Sequence, residues 1–180
     1  MSRRVLVTGT TVLLMGVSAA ASAQQPPAAA KPKAEREAAP PMADEKYGSA
    51  AQIMALPPAK LIAILLEPNA SVYARAKACQ RLAVVGDKSA VPALAALLTD
   101  PQLSHYARFG LEPIRDASAD DALRAALGKV KGKLLVGVIN SIGYRRDKKA
   151  ITELERLRHD ADAEVARAAD AALARLRPAL

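Results

Sequence analysis

GKVKGKLLVGVINSIGYRRDKKA, residues 128–150, admits three readings: a strand, a degraded phosphate loop, or a helix bracketed by lysines and arginines. Propensity alone favours a strand, because Val, Ile and Gly depress helix formation across LLVGVINSIGY. The rest of the chain decides otherwise. Leu82, Leu111, Ile142 and Leu173 recur at spacings of 29, 31 and 31 residues. Ala78, Ala107, Val138 and Ala169 keep the same step, as do Ala74, Leu103, Leu134 and Val165. Within each unit the three positions lie four residues apart, the spacing of one helix face. Leu134, Val138 and Ile142 therefore hold inward positions, and the stretch reads as a helix.

A second set follows the first. Ala90, Ala119 and Ala150 align, with Leu94, Leu123 and Leu154 four residues after them, and Leu61 and Leu65 extend the set backwards. Each unit of about 30 residues is thus two short helices, since self-similarity at such a period marks a stacked array. The pattern predicts helices near 59–67, 71–85, 89–99, 103–114, 118–128, 132–144, 148–158 and 162–176, with a weaker one near 45–55. Gly86-Asp87, Arg115-Asp116 and Arg146-Asp147 fall in the turns within units. Pro57 and Pro58 suit a first helical turn, Pro68 and Pro101 follow helix ends, and Ser89 is positioned to cap a helix ahead of Pro92.

AVPALAALLTD, the Gly-Asp turn, VYARAKACQRLA and EVARAADAALARL resemble HEAT-type repeats. LSHYARFGLEPI and LRAALGKVKGKLLVGVINSIGYRRDKKA are similar to HEAT-repeat proteins exported by some environmental bacteria. The resemblance covers about 57–177 and implies an all-α fold, an α-solenoid of about four stacked two-helix repeats. It further implies a scaffold or partner-binding surface, although one related class, the HEAT-like bilin lyases, is catalytic. The third unit departs from the motif, with AITELERL lacking the proline of AVPAL. Asp162, Glu164, Asp170 and Arg175 give the last helix a polar outer face, as a terminal cap requires.

The chain's 180 residues divide into three segments. Residues 1–23 carry Arg3 and Arg4, an apolar run from Val5 to about Ala21, and a small-x-small close at Ala21-Ser22-Ala23, the layout of a secretory signal peptide. The run is short and rich in Thr, Gly and Ala for a spanning helix, so cleavage is expected and no transmembrane segment afterwards. Ser2-Arg3-Arg4-Val5-Leu6-Val7 also fits a twin-arginine signal. Residues 24–44 are Pro, Ala and charge without apolar periodicity and read as a disordered linker. The folded domain is expected over 45–180, exported to the periplasm or the medium. Cys79 is the one cysteine, so no internal disulfide forms, and beside Ala78 and Leu82 it reads as a small apolar residue.

No catalytic constellation emerges. GKVKGKL has three residues between Gly128 and Gly132 where a phosphate loop needs four, and Leu134 stands where its hydroxyl belongs. His105 and His159 stand alone, without metal-ligand spacing, and neither cofactor nor metal is expected. Asp120-Asp121 opens a helix, where carboxylates suit the positive end. An enzyme-accessory or lyase-like role on a small molecule would need a spatial cluster of Tyr106, Arg108 and Glu112 with groups from the next unit.

Charge is the uneven feature. Residues 122–150 carry a net +7, while 24–56 and 57–121 each sum to zero and 151–180 to −1. The candidate binding residues are Lys129, Lys131 and Lys133 on one edge and Arg145, Arg146, Lys148 and Lys149 on the other, giving two basic lips. The expected partner is another protein, engaged through a concave helix face with the basic unit as a secondary contact. An acidic surface, an anionic polymer or lipid headgroups are the alternative. Two facts argue against nucleic acid: the export signal, and the lack of aromatics interleaved with the lysines for base stacking.

Overall fold

The computed structural model describes residues 43–177, and these are all-α apart from one small hairpin. The expected signal peptide 1–23, and the linker up to residue 42, lie outside the described residues. The described chain begins with the hairpin, β1 (Ala43–Asp44) antiparallel to β2 (Gly48–Ser49). Asp44 Oδ1 closes it by accepting the Lys46 and Tyr47 N–H groups, each at 2.8 Å. The linker boundary drawn at residue 44 thus cuts through a structured turn. Gly48 has φ 79°, a left-handed conformation that no helix continues through. For that reason the helix expected over 45–55 contracts to α1 (Ala50–Met54), opened by a Ser49–Gln52 capping box.

Eight longer helices follow among the described residues: α2 (Pro58–Leu66), α3 (Val72–Val85), α4 (Val91–Ala96), α5 (Ser104–Leu111), α6 (Ala117–Leu127), α7 (Gly132–Arg145), α8 (Ile151–Leu157) and α9 (Ala163–Leu176). The quoted stretch is therefore helical over its apolar core. A turn of 3-10 helix, Lys88–Ala90 or Lys148–Ala150, leads into α4 and α8, and Pro92 sits in the first turn of α4 where its missing N–H costs nothing. Ser89 does not cap, contrary to the expectation. Asp87 does so instead, accepting the Ser89 N–H at 2.8 Å while the Ser89 hydroxyl donates to the same oxygen.

Helices α3, α5, α7 and α9 touch in succession, and α2, α4 and α6 form a second line, each packing on the helix that follows it. The inward columns explain this order. Leu82, Leu111 and Ile142 are fully buried with Leu173 nearly so, and Ala78, Ala107, Val138 and Ala169 are fully buried. Ala90, Ala119 and Ala150 are likewise closed to solvent, together with Leu94, Leu123 and Leu154. Leu134 alone of its column is half-buried, and Leu135 beside it enters the core. Small residues set the separation: a Cβ on Gly143 would lie 3.0 Å from the Ala172 Cα, so α7 and α9 meet nearly backbone to backbone. No helix of the described residues is long and apolar enough to cross a membrane.

Candidate functional site

The turns that join the two helices of each unit share one construction. Asp87, Asp116 and Asp147 stand 29 and 31 residues apart, and each accepts the backbone N–H two residues on: Ser89 at 2.8 Å, Ser118 at 2.9 Å and Lys149 at 3.1 Å. The hydroxyls of Ser89 and Ser118 also donate to their aspartates at 2.6 Å, and chiefly these bonds hold both carboxyls below the usual range. These bonds keep both carboxylates ionised, and Asp87 stays exposed with Asp116 half-buried. Exposed cations surround these turns: Lys88, Arg115, Arg146, Lys148 and Lys149. Arg146 closes α7 in the left-handed conformation, φ 57°, and is the one non-glycine residue at positive φ among the described residues.

Lys129, Lys131 and Lys133 are exposed at the other end of α7. A 14-residue helix separates the two groups by roughly 20 Å. Among the described residues no carboxylate pairs with these three lysines or with Arg146, Lys148 and Lys149.

Arg145 does not belong to either lip, contrary to the expectation. Its side chain is 8% exposed and makes a fork with Asp120, Nε to Oδ1 at 2.5 Å and Nη2 to Oδ2 at 3.0 Å. It also donates to the carbonyls of Leu111 (3.0 Å), Glu112 (2.9 Å), Ile114 (2.7 Å) and Asp116 (3.2 Å). Those carbonyls belong to the end of α5 and the turn after it; Leu111 and Asp116 also accept the Ile114 and Ala119 N–H groups, whereas Glu112 and Ile114 have no backbone donor, and a guanidinium is shaped to collect them. Arg145 is a clamp between α5 and α7. Arg124 is similarly engaged, donating to Asp121 and to the buried Asp147. The +7 of residues 122–150 was inflated by where the segment began, because Asp120 and Asp121 lie just outside it.

A second polar cluster lies between the same helices. Arg108 donates to the Gly137 carbonyl at 3.1 Å and to the Ser141 hydroxyl at 3.3 Å, and that hydroxyl donates to Glu112 Oε1 at 2.7 Å. His105 Nδ1 stands 3.5 Å from Arg108 Nη2, and Tyr106 meets the His105 ring edge-on. The residues that a small-molecule role would require are thus brought together. Their surroundings speak for packing: Ser141 is fully buried, and the guanidinium lies so close to Gly137 that a Cβ there would come within 2.7 Å of it. Burial pulls the Arg108 guanidinium below its ordinary value, partly offset by Glu112.

Cys79 is fully buried, and burial pushes its thiol up to about 12, which removes the thiolate that nucleophilic work needs. His105 and His159 are exposed, and among the described residues no group of three His, Cys, Asp or Glu side chains is arranged to hold a metal ion.

Counting charge by segment also hid two rows that run across the units. Arg115, Arg146 and Arg177 stand 31 residues apart, all exposed. Pro113 and Tyr144 stand two residues before the first two of them, and with Val84 at the equivalent place in the first unit they form an exposed apolar row at the ends of α3, α5 and α7, with Val84 72% and Tyr144 66% open. Open grooves flank the 112–116 turn. One, of about 460 Å³, runs from Gly86–Lys88 to Pro113–Asp116, and the other, of about 380 Å³, runs from Glu112–Arg115 to Tyr144 and Arg145. Both rows keep the 29–31-residue step of the core columns, with Gly86 in the cation column of the first unit and Arg175 in the apolar column of the last.

No protein-family model matches the chain, and no curated protein matches it.

Proposed function

We propose that the chain is an exported, non-enzymatic scaffold of the HEAT-like α-solenoid type that holds another protein in the bacterial cell envelope. One observation carries this reading: the apolar positions that recur every 29–31 residues, Leu134 excepted, are closed to solvent in both helices of each pair. Helix pairs that bury their faces only against neighbours make an extended stack, whose outer surfaces serve as binding ground. Supporting it, the two densest polar clusters, around Arg108 and Arg145, bond internally between α5 and α7.

Affinity capture by residues 24–180 from the source organism's envelope extract, at low and at high salt, tests the reading. A defined protein partner retained at both is the expected result. Capture of no protein at either salt would overturn it. Exposed Lys129, Lys131 and Lys133 favour a second reading, in which an anionic polymer or membrane surface is bound, and this predicts association that disappears as salt rises.

A further inference from the structure

Building on that reading, we infer that the turn edge of α3, α5 and α7 is a docking strip for an acidic, extended, proline-containing segment of the partner protein. The strip has two components. Val84, Pro113 and Tyr144 present an apolar row, one residue per unit; Arg115 and Arg146 stand two residues after the last two, and Lys88 four residues after Val84. In the first groove Asp87 and Asp116 remain anionic and offset Lys88 and Arg115, while accepting from their own turns' N–H groups and serine hydroxyls. Positive charge is in excess at the turn after α7, where among the described residues Arg146, Lys148 and Lys149 pair with no carboxylate. Glu112 lines the second groove and accepts the Ser141 hydroxyl. A ligand with regularly spaced acids and apolar groups is the chemical complement.

The spacing of the rows selects the ligand's conformation. Packed helices stand about 8–10 Å apart, so one apolar position is offered roughly every 9 Å. A β-strand covers that distance in about three residues, but successive side chains alternate faces, so every third one points away. A polyproline II segment advances about 3.1 Å per residue with three residues per turn, which returns every third side chain to the same face after about 9 Å. Apolar residues at every third position then meet Val84, Pro113 and Tyr144 in turn, while acidic residues between them face Arg115 and Arg146. The chain's own proline-rich stretch, 24–42, has three cations against two acids and so the wrong sign to occupy the strip.

The probe is a fluorescein-labelled peptide of roughly twelve residues built from Val-Pro-Glu units, followed by fluorescence anisotropy against residues 24–180. Its controls are a polyglutamate of equal charge and polygalacturonate. Binding of the Val-Pro-Glu peptide in preference to both is expected. Arg115→Ala with Arg146→Gly should weaken it at least tenfold, and Tyr144→Ser several-fold. Arg146→Gly also relieves a left-handed backbone, so its Tm should hold or rise, and lost binding cannot then be ascribed to unfolding. Equal binding of polyglutamate, polygalacturonate and peptide, indifferent to Tyr144→Ser, would overturn the strip in favour of an unspecific basic surface. No peptide binding at low salt would overturn it as well. Envelope capture separates the two readings: a partner held equally by wild type and by the double variant sinks the strip and leaves the scaffold standing, whereas no partner for either sinks the scaffold.

Discussion

Helix α7 is held on two sides by opposite means. Against α9 it presents Gly143, close enough to the Ala172 backbone that one added carbon would press on it, and the contact is chiefly apolar, with Arg175 Nη1 3.5 Å from the same point. Against α5 it presents Gly137, Ser141 and Arg145, and what meets them is a guanidinium, a carboxylate and four carbonyl groups. Close apolar contact fixes how near two helices come but tolerates sliding. Directed bonds to the end of α5 fix one register and are costly to break. One junction is set by distance and the other by direction.

The largest effect should come from Arg145→Ala. It strands Asp120 and the carbonyls of Glu112 and Ile114 in a site where the arginine side chain was 8% exposed, while Leu111 and Asp116 keep their backbone donors. Removing one partner of a buried pair costs about 3–5 kcal/mol, and urea unfolding monitored by circular dichroism reads it directly. Arg145→Lys keeps the charge but loses the fork and should recover less than half. A loss under about 1 kcal/mol for the alanine variant, the range of an exposed pair, would reduce the clamp to a surface ion pair.

On the opposite side, Gly143→Leu should cost about 1–3 kcal/mol by overpacking α7 against α9. Gly128→Ala is its control, because nothing lies within 4 Å of a Cβ at that position. Equal behaviour of the two variants would mean that the α7–α9 approach is not set by the glycine. The Arg108 cluster should respond more gently. Arg108→Met alone should cost about 1–3 kcal/mol by removing the donor that Gly137 and Ser141 share and the cation beside Glu112. Adding Ser141→Ala and Glu112→Met should recover most of that loss, since an apolar junction of similar volume dispenses with the whole network. A triple variant weaker than the single one would mark the polar junction as the better packed of the two.

Most of this fold is legible in the sequence, and the reason is physical. Columns such as Leu82, Leu111, Ile142 and Leu173 must all face neighbours, so burial writes the period directly into residue type. The hairpin at 43–49 is not legible, because its turn depends on Asp44 and on one glycine at positive φ rather than on any period. The role of Arg145 was hidden by the assumption that arginines at a turn face water. Yet position 145 falls in the column of Ile114 and Leu176, both buried, and an arginine there has to find partners inside. The same reasoning applies to Arg108, which takes the place that Cys79 and Ile139 fill in adjoining units. A charged residue in an apolar column is the signal for a polar junction.

The smallest expected effect concerns acid, and it falls on the α5 side of the comparison. Asp87 and Asp116 cap the turns after α3 and α5, and their carboxyls are held below the usual range, first by the serine hydroxyls and then by the turn N–H groups. A carboxyl whose folded value is depressed contributes stability above its unfolded value, near 3.9, and that stability is lost as pH falls through the folded value. The double variant Asp87→Asn with Asp116→Asn keeps an oxygen to accept the N–H but cannot titrate. Its Tm should therefore fall less steeply than that of the wild type between about pH 5 and pH 2, while the two change in parallel between about pH 6 and pH 8. Gly143→Leu, which alters only the apolar junction, should retain the wild-type acid slope. Coincident acid slopes for wild type and the asparagine variant would mean that these caps order the turns without stabilising them.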